Sequence, residues 1–385
     1  MRHPIRSTAL AAGACVALSL QAVAQRPPDR GYSSAEVWFR SIVVNGFAEG
    51  SYSYNANDPD SGRNTLRVFD FDDREIKLDV FELVAQRPIK ERGEVGFRLD
   101  GVYGQSIPEV TASSGLFRGV GDGKAEDYDL QQGYLSWIAP LGSGLRIDAG
   151  KFVSPFGYEV IQGYDGYNDN QTRSFLFGFA IPHTHTGARA SYAFADAFTA
   201  TVMAVQGWDV FHDNNDAKSF GAQLAFKPMA DWSIELTAMS GAEQRKNDSS
   251  DRSLVGLTTS LKTNEWITLG LEGVYGEEED SVLNPSTLNI VDSSWSGAAG
   301  YFRCDLSKSA SVSLRYERFE DGDGARTGTA QTLQSFTLTP EFKLGDNTFL
   351  RGDLRQDWSD EDVFEDGSGL SGDQLTASVG LFVTI

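Results

Sequence analysis

SFTLTPEFKL, at residues 335–344, alternates apolar and polar side chains nearly one for one. Phe336, Leu338 and Phe342 share one face of an extended chain, and threonines and charged residues occupy the other face. The last eleven residues, LTASVGLFVTI at 375–385, repeat the pattern. The alternation predicts β-strands with one face in an apolar environment. A soluble sandwich and a membrane barrel both satisfy that condition, so the ends and the connections of the chain must separate them.

The N-terminus has the three parts of a secretory signal peptide. Arg2 and Arg6 precede an apolar stretch at 9–20, and Ala22-Val23-Ala24 supplies small residues for cleavage. The mature chain is therefore expected to begin at Gln25. The expected organisation is a signal peptide (1–24), a periplasmic lead-in (25–39) and a β-barrel domain (40–385).

The composition excludes several classes of protein. The 54 acidic residues outnumber the 33 lysines and arginines, and this balance argues against a nucleic-acid partner. No stretch after the leader approaches the roughly 20 apolar residues of a membrane-spanning helix. A barrel strand needs only about 9–11 residues, half of which face a polar lumen. The 40 glycines and 24 phenylalanines suit curved strands and interfacial aromatic girdles.

Sixteen segments are strand candidates. They lie at 40–53, 74–86, 93–104, 127–139, 144–152, 186–194, 197–208, 217–228, 231–241, 251–262, 265–276, 293–304, 309–319, 333–344, 347–358 and 371–385. In the second segment the apolar alternation changes face near Glu82. An even number of strands is typical of bacterial outer-membrane barrels.

The connections alternate strictly between short and long. Ala195-Asp196, Thr263-Asn264 and Gly345-Asp346 are short, whereas 54–73, 105–126, 153–185 and 277–292 are among the long connections. Short periplasmic turns and long extracellular loops characterise outer-membrane barrels, and a soluble sandwich has no reason to sort loops in this way. The predicted fold is therefore all-β: a transmembrane antiparallel up-and-down β-barrel of about 16 strands.

Several segments resemble the OmpL-like family of β-barrel porins. The resemblance rests on GKFVSPFGYEVI at 150–161, PHTHTG at 182–187, QGWD at 206–209 and RYERF at 315–319. It extends over nearly the whole mature chain, but none of these pieces is a catalytic motif. The resemblance implies an outer-membrane location and passive passage of solutes, and it specifies no particular solute.

If apolar side chains face lipid, the alternating polar set faces the lumen. The predicted pore-lining residues are Arg98, Asp100, Arg146, Asp148, Arg315, Glu317, Glu341, Lys343, Arg351, Asp353, Arg355 and Asp357. These charges could pair into ladders that hold the wall rigid, or form basic and acidic ridges that face each other across a narrow pore. The group from Arg351 to Asp357 is the strongest candidate for such ridges. The net acidity favours passage of cations over anions.

The connection 153–185 is the longest and the best candidate for a loop that folds inward as a constriction. Glu159, Asp165, Asp169 and Arg173 would then line the narrowest point. The alternative is a surface loop folded on itself, because length alone permits both arrangements.

The sequence offers little for catalysis or metal binding. His183 and His185 stand two apart, which places them on one face of an extended segment, but no third ligand has a diagnostic spacing. A nucleophilic serine in a tight elbow is missing as well. We therefore expect no enzymatic activity, no cofactor and no metal.

These features together predict a porin of the bacterial outer membrane for small hydrophilic solutes or ions. Its expected surroundings are outer-membrane lipid, and a barrel of this size is compatible with a homotrimer. The competing hypothesis is a non-conducting barrel with an adhesive or envelope-structural role, whose lumen the 153–185 loop closes.

Overall fold

The computed structural model describes residues 34–116, 127–283 and 287–385, so the expected signal peptide lies outside the described residues. The strands are β1 (Val43–Asn55), β2 (Ile76–Arg87), β3 (Val95–Tyr103), β4 (Tyr128–Ala139), β5 (Leu145–Val153), β6 (Thr184–Ala195), β7 (Phe198–Val205), β8 (Ser219–Met229), β9 (Trp232–Ala242), β10 (Asp251–Lys262), β11 (Ile267–Leu283), β12 (Ile290–Asp305), β13 (Ala310–Asp321), β14 (Gln331–Lys343), β15 (Thr348–Ser359), β16 (Phe364–Asp366), β17 (Gly369–Ser371) and β18 (Asp373–Thr384).

Sixteen of these described strands form one closed antiparallel barrel, and β16 and β17 form a separate small hairpin. Strands adjacent in sequence pair with each other, and β1 closes the barrel against β18, where Phe47 lies opposite Thr384. This confirms the predicted fold class. Closure satisfies the hydrogen-bonding groups that an edge strand would leave exposed.

The two faces of the wall have opposite chemistry. On β14, Phe336 and Phe342 are exposed on the outer face, whereas Thr337 and Glu341 are buried on the inner face. Arg351 of the neighbouring strand is completely buried inside. The apolar residues therefore face outward, as the alternation predicts for a wall in lipid.

Exposed aromatic side chains concentrate near both ends of the strands. Those near the long loops include Tyr52, Tyr54, Tyr103, Tyr128, Phe220 and Trp358, and those near the short turns include Trp137, Phe194, Trp266 and Phe342. Rings with a polar or polarisable edge favour the boundary between lipid and water, so the two groups mark an apolar band between them.

The structure corrects two expectations about individual segments. The change of face in β2 occurs at Asp79 and Val80, both buried, because a bulge opposite Glu49 and Gly50 inserts one residue. The acidic connection expected at 277–292 is largely strand, since β11 and β12 continue well beyond the predicted boundaries. The loop between β15 and β18 contains the β16–β17 hairpin.

Helical structure is confined to short segments. Helix α1 (Ser34–Arg40) lies in the expected lead-in and continues to the start of the barrel, α2 (Ile107–Ser114) follows β3, and a π-helix spans Leu176–Ala180. No helix in the described ranges is long and apolar enough to cross a membrane.

Candidate functional site

The connection between β5 and β6, residues 154–183, folds into the barrel and is called the lumenal loop below. Phe175 and Leu176 are buried in one hydrophobic cluster with Trp295 and Phe319, which point inward from the wall. The interior of the barrel thus contains an apolar core on one side. Removing these side chains from water favours the inward position of the loop.

Buried polar contacts pin the lumenal loop to β13 and β15. Arg315 donates to Glu159 Oε1 at 2.6 Å and to the carbonyl of Thr172 at 2.7 Å. Asp353 accepts the backbone N–H and the hydroxyl of Thr172 at 2.7 and 2.8 Å. Ser174 donates its backbone N–H to Glu159 at 2.7 Å. These groups are buried and have lost their contacts with water. Their hydrogen bonds to one another compensate for that loss.

A second set of ion pairs continues along the same wall. Arg303 of β12 donates to Asp169 at 2.9 Å and to Glu341 at 3.0 Å, and Arg351 donates to Glu341 at 3.2 Å. Burial raises the pKa of Asp169, and the neighbouring Arg303 opposes this rise. Acidic and basic side chains therefore alternate along a row that starts on the lumenal loop and continues over β12 and β14 to β15.

The tip of the lumenal loop, residues 163–167, contacts β2 and β18, the two neighbours of β1 at the seam of the barrel. The backbone N–H of Tyr164 donates to Glu82 of β2 at 2.6 Å. The ring of Tyr167 lies 4.7 Å from that of Phe382 on β18, centroid to centroid. The loop crosses the lumen, because it starts at β5 and its Glu159 contacts Arg315 of β13, which lies eight strands from β5 in the ring of sixteen.

Asp165 is the charged residue of the tip, and 56% of its side chain is accessible. Its carboxylate lies 2.5 Å from Arg98 Nη1, and Arg98 Nε donates to Asp100 at 2.7 Å. The amide of Gln132 also donates to Asp100, at 2.6 Å. This pair joins a loop charge to the wall while leaving one carboxylate accessible to solvent.

A second loop, between β1 and β2, also folds inward. Arg67 donates to Asp357 of β15 at 2.6 Å and to the hydroxyl of Thr376 at 3.1 Å, and it forms a further ion pair with Asp70. These contacts place residues 67–70 above the lumenal loop, toward the long-loop end. Two inward loops therefore share the upper half of the lumen.

Arg326 holds the π-helical part of the lumenal loop. Its guanidinium lies 4.9 Å from the ring centroid of Trp208 and 5.0 Å from that of Trp295, and its Nε donates to the carbonyl of Phe179 at 2.7 Å. Trp295 donates its indole N–H to the carbonyl of Ala180 at 3.1 Å. Burial lowers the pKa of Arg326 to about 10, so it remains charged at neutral pH. Nothing in the sequence pattern singled out this cluster.

All twelve wall residues expected to line the pore lie on barrel strands, and ten of them are buried. Their closest partners are each other and the loops: Arg355 lies 2.6 Å from Asp357, and Arg146 lies 3.0 Å from Asp148. Lys343 sits at the end of β14 near Asp346, which is fully exposed. A direct role of these residues in conduction stays a prediction.

The lumenal loop carries the four residues expected at a constriction, and three of them contact different strands of the wall. Glu159 meets Arg315, Asp165 meets Arg98 and Asp169 meets Arg303. Arg173 donates instead to the carbonyl of Gln171 and to the side chain of Gln162, and its partner Glu49 was not anticipated.

The two histidines have structural contacts. His183 Nε2 lies 2.9 Å from the carbonyl oxygen of Phe177, and His185 contacts the carbonyl of Gly207 and the hydroxyl of Ser154, both at 3.1 Å. His185 thus holds the start of the lumenal loop against β6, and His183 makes its contact within the loop. The described part of the chain has no group of three or more His, Cys, Asp or Glu side chains placed to hold a metal ion.

Residues 41–385 match the family model described as "Putative beta-barrel porin-2, OmpL-like". No curated protein matches the sequence.

Three solved structures illustrate the similarity in fold. The anion-selective porin from Comamonas acidovorans has a TM-score of 0.59 at 12% identity, with 89% of this chain and 99% of that chain covered. OprB of Pseudomonas putida has a TM-score of 0.60 at 12% identity, covering 91% and 96%. The outer-membrane channel DcaP of Acinetobacter baumannii has a TM-score of 0.59 at 12% identity, covering 89% and 97%.

Proposed function

The chain belongs to the OmpL-like family of β-barrel porins, and we propose that solutes cross it through a lumen narrowed by the lumenal loop. Membership of this family makes it an outer-membrane porin, which lets small hydrophilic solutes diffuse passively across the bacterial outer membrane. Diffusion needs no covalent chemistry, so the proposed activity is conduction alone, without an enzymatic step. Outer-membrane lipid would contact the apolar band of the wall. A homotrimer stays a prediction for this chain.

The crossing of the lumen by the loop is the observation that carries the constriction. Glu159 and Thr172 are bound to the β13–β15 wall, and Tyr164 and Tyr167 contact the wall near the seam. The loop begins at β5, and β13 lies eight strands from β5 in the ring of sixteen, so a segment anchored at both narrows the cross-section through which water and solutes pass. Several buried ion pairs fix its position, because breaking one leaves an uncompensated charge.

The remaining free surface of the lumen lies mainly below the loop, toward the short turns. Inward side chains of β6, β7 and β10 in that region are only partly buried, among them Ser191, Thr199 and Thr258. These are small and uncharged. The proposed route therefore combines a charged, narrow upper part with a wider, polar lower part.

The charge of the interior supports a preference for cations. Among the buried charged side chains that the structure describes, 18 are acidic and 10 are basic. Fixed charges in a region of low dielectric exclude ions of the same sign and concentrate those of the opposite sign. We therefore expect potassium to carry more of the current than chloride.

Single-channel recording from the refolded protein in a planar bilayer tests the proposal. Stable open steps, with a reversal potential of cation-selective sign in a potassium chloride gradient, support it. Reversal of anion-selective sign contradicts the charge argument and leaves conduction intact.

A non-conducting barrel is the second candidate, because Arg315, Arg351 and Arg355 are completely buried at the level of the loop. Such burial is also expected of a plug. Correctly inserted protein that never opens, judged by heat-modifiable migration and protease protection, would favour this adhesive or structural role.

A further inference from the structure

A small cavity lies between the two inward loops and the wall near the seam, and the functions described so far do not account for it. Its volume is about 40 Å³, and its walls include Glu49, Asp79, Gln171, Arg173 and Ser378. A site of this size holds roughly three water molecules, or the polar edge of a larger solute. The cavity lies beside the lumenal loop, which narrows the proposed route.

Four of the residues that line this cavity each have a buried polar atom without a hydrogen-bond partner. These atoms are Asp79 Oδ2, Gln171 Oε1, Arg173 Nε and Ser378 Oγ. Asp79 and Arg173 are each only 7% exposed. An unpartnered buried polar atom is costly, and four of them at one cavity indicate that something polar completes the set.

The neighbouring contacts fix which of these atoms donate and which accept. Gln171 Nε2 donates to Glu49 at 2.8 Å, and since a carboxylate cannot donate, this assigns the free atom of Gln171 as the amide oxygen. Asp79 Oδ1 accepts the hydroxyl of Ser106 at 3.1 Å, which leaves Oδ2 as a free acceptor. Arg173 uses both terminal nitrogens on Gln171 and Gln162, so its free Nε–H is a donor.

The backbone also makes room for Gln171 at this place. A Cβ atom at position 380 would lie 2.6 Å from Gln171 Oε1, and residue 380 is glycine. The lack of a side chain on β18 therefore lets the amide oxygen approach the wall. The position of this acceptor depends on that glycine.

The required occupant must donate to two acceptors and accept from one donor. An ammonium group only donates and would be repelled by Arg173, whereas a carboxylate or phosphate only accepts and would face Glu49, Asp70 and Asp79. A hydroxyl does both, and a pair of adjacent hydroxyls matches the mixture of free atoms. Phe69, also in the lining, offers an apolar surface for the C–H face of such a solute.

We infer that this cavity is a binding subsite for neutral polyhydroxylated solutes, such as sugar alcohols and monosaccharides, along the diffusion route. The inference rests on the proposed porin function, because it places the subsite beside a path that solutes take. A subsite of this kind slows and orders the solute through two or three hydrogen bonds. It raises flux at low concentration and saturates at high concentration.

The test is the reduction of single-channel current by sorbitol, measured as a function of concentration and corrected for bulk conductivity. Triethylene glycol, which has ether oxygens in place of adjacent hydroxyls, is the control solute. We expect a saturable reduction with sorbitol and a non-saturable one with triethylene glycol. Equal behaviour of the two solutes, or saturation with methylammonium instead of sorbitol, overturns the inference.

Ser378→Ala is the decisive variant, because it removes one free hydroxyl and nothing that the wall needs. One lost hydrogen bond raises the half-saturating sorbitol concentration about fivefold. Ser313→Ala is the matched control, since Ser313 is a buried inward serine of β13 outside the cavity lining. An unchanged sorbitol response in Ser378→Ala, or an equal shift in both variants, overturns the inference.

A channel that never opens would contradict the porin function rather than the subsite. Calorimetric titration of sorbitol into the detergent-solubilised full chain then decides the point with the same two variants. Heat of binding that Ser378→Ala weakens and Ser313→Ala preserves supports the subsite. Titrations without a binding isotherm overturn it.

Discussion

Arg315 Nη1 lies 2.6 Å from Glu159 Oε1, and this contact joins two residues that are 156 positions apart in the chain. The Arg315 side chain is completely buried and that of Glu159 is 2% exposed. An ion pair so well shielded has given up the hydration of both partners. It therefore fixes the position of the lumenal loop more strictly than a surface pair could.

Glu159→Gln should loosen the lumenal loop. Without the Glu159 carboxylate, Arg315 keeps an ion pair with Glu317, at the longer distance of 3.7 Å. Breaking a buried ion pair costs about 3–5 kcal/mol. We expect frequent transitions between current levels in single-channel traces. Glu320→Gln is the control, because Glu320 forms an exposed pair with Arg318 on the same strand. Traces identical to wild type in Glu159→Gln would show that this pair does not hold the loop.

Leu338→Arg should impair insertion, because Leu338 lies on the outer face in the middle of β14. An arginine facing the bilayer core costs about 2–4 kcal/mol. Thr258→Arg, on the inner face in the middle of β10, is the matched control and should insert normally. The measurement is the fraction folded into liposomes, read from heat-modifiable migration. Equal losses at both positions would reverse the assigned faces.

Arg326→Gln should release the π-helical segment from the wall. The substitution removes two cation–aromatic contacts and one hydrogen bond to Phe179, together about 2–3 kcal/mol. Chymotrypsin should then cleave within residues 175–180 faster than in wild type. Arg318→Gln, a half-exposed arginine, should leave the cleavage rate unchanged. If chymotrypsin cleaves Arg326→Gln no faster than wild type, residues other than Arg326 hold the π-helical segment against the wall.

Stability should fall as the pH rises through neutrality because of Glu243, which lies just beyond β9. Burial raises its pKa from 4.5 to about 7, while the N–H of Trp208 donates to it at 2.6 Å. The folded state thus binds the proton more tightly than the unfolded chain. Glu243 therefore contributes most to the free energy of unfolding below pH 4.5, and this contribution is lost as the pH rises through about 7. The loss is at most about 3 kcal/mol.

Urea unfolding followed by tryptophan fluorescence at pH 5 and pH 8 measures this effect. Glu243→Gln, which mimics the protonated acid, should lose part of the pH dependence and be relatively more stable at pH 8. The same pH dependence in wild type and variant would exclude Glu243 as the titrating group.

The barrel follows from the sequence because the bilayer imposes a repeating pattern. Strands such as β10 begin and end where the alternation does, at Asp251 and Lys262. The pattern fails where lipid no longer selects for apolar residues. Glu277–Asp280 were expected in a loop, yet they belong to β11, which continues past the aromatic girdle. The bulge at Asp79 in β2 is a similar case, since one inserted residue changes the face without changing the composition.

The interior of the barrel could be predicted only in part. Alternation places Arg315 and Arg351 inside, but their partners come from loops that have no periodic pattern. Arg303 pairs with Asp169 across 134 residues, and Arg67 with Asp357 across 290. Such pairs depend on how a loop folds against the wall. The sequence gives the inventory of charges, and the packing determines which of them meet.

Single-channel conductance of a variant that lacks residues 163–167 tests the central claim most directly. The deletion joins residue 162 to residue 168. Asn168 bonds both the N–H and the carbonyl of Val160 at 2.9 Å, so the two ends are already close, and the anchors at Glu159 and Asp169 remain. Deletion of Asp366–Ser368, in the outer β16–β17 hairpin, is the control. The constriction predicts a larger conductance only when 163–167 are removed. An unchanged conductance would place the lumenal loop outside the path of the ions.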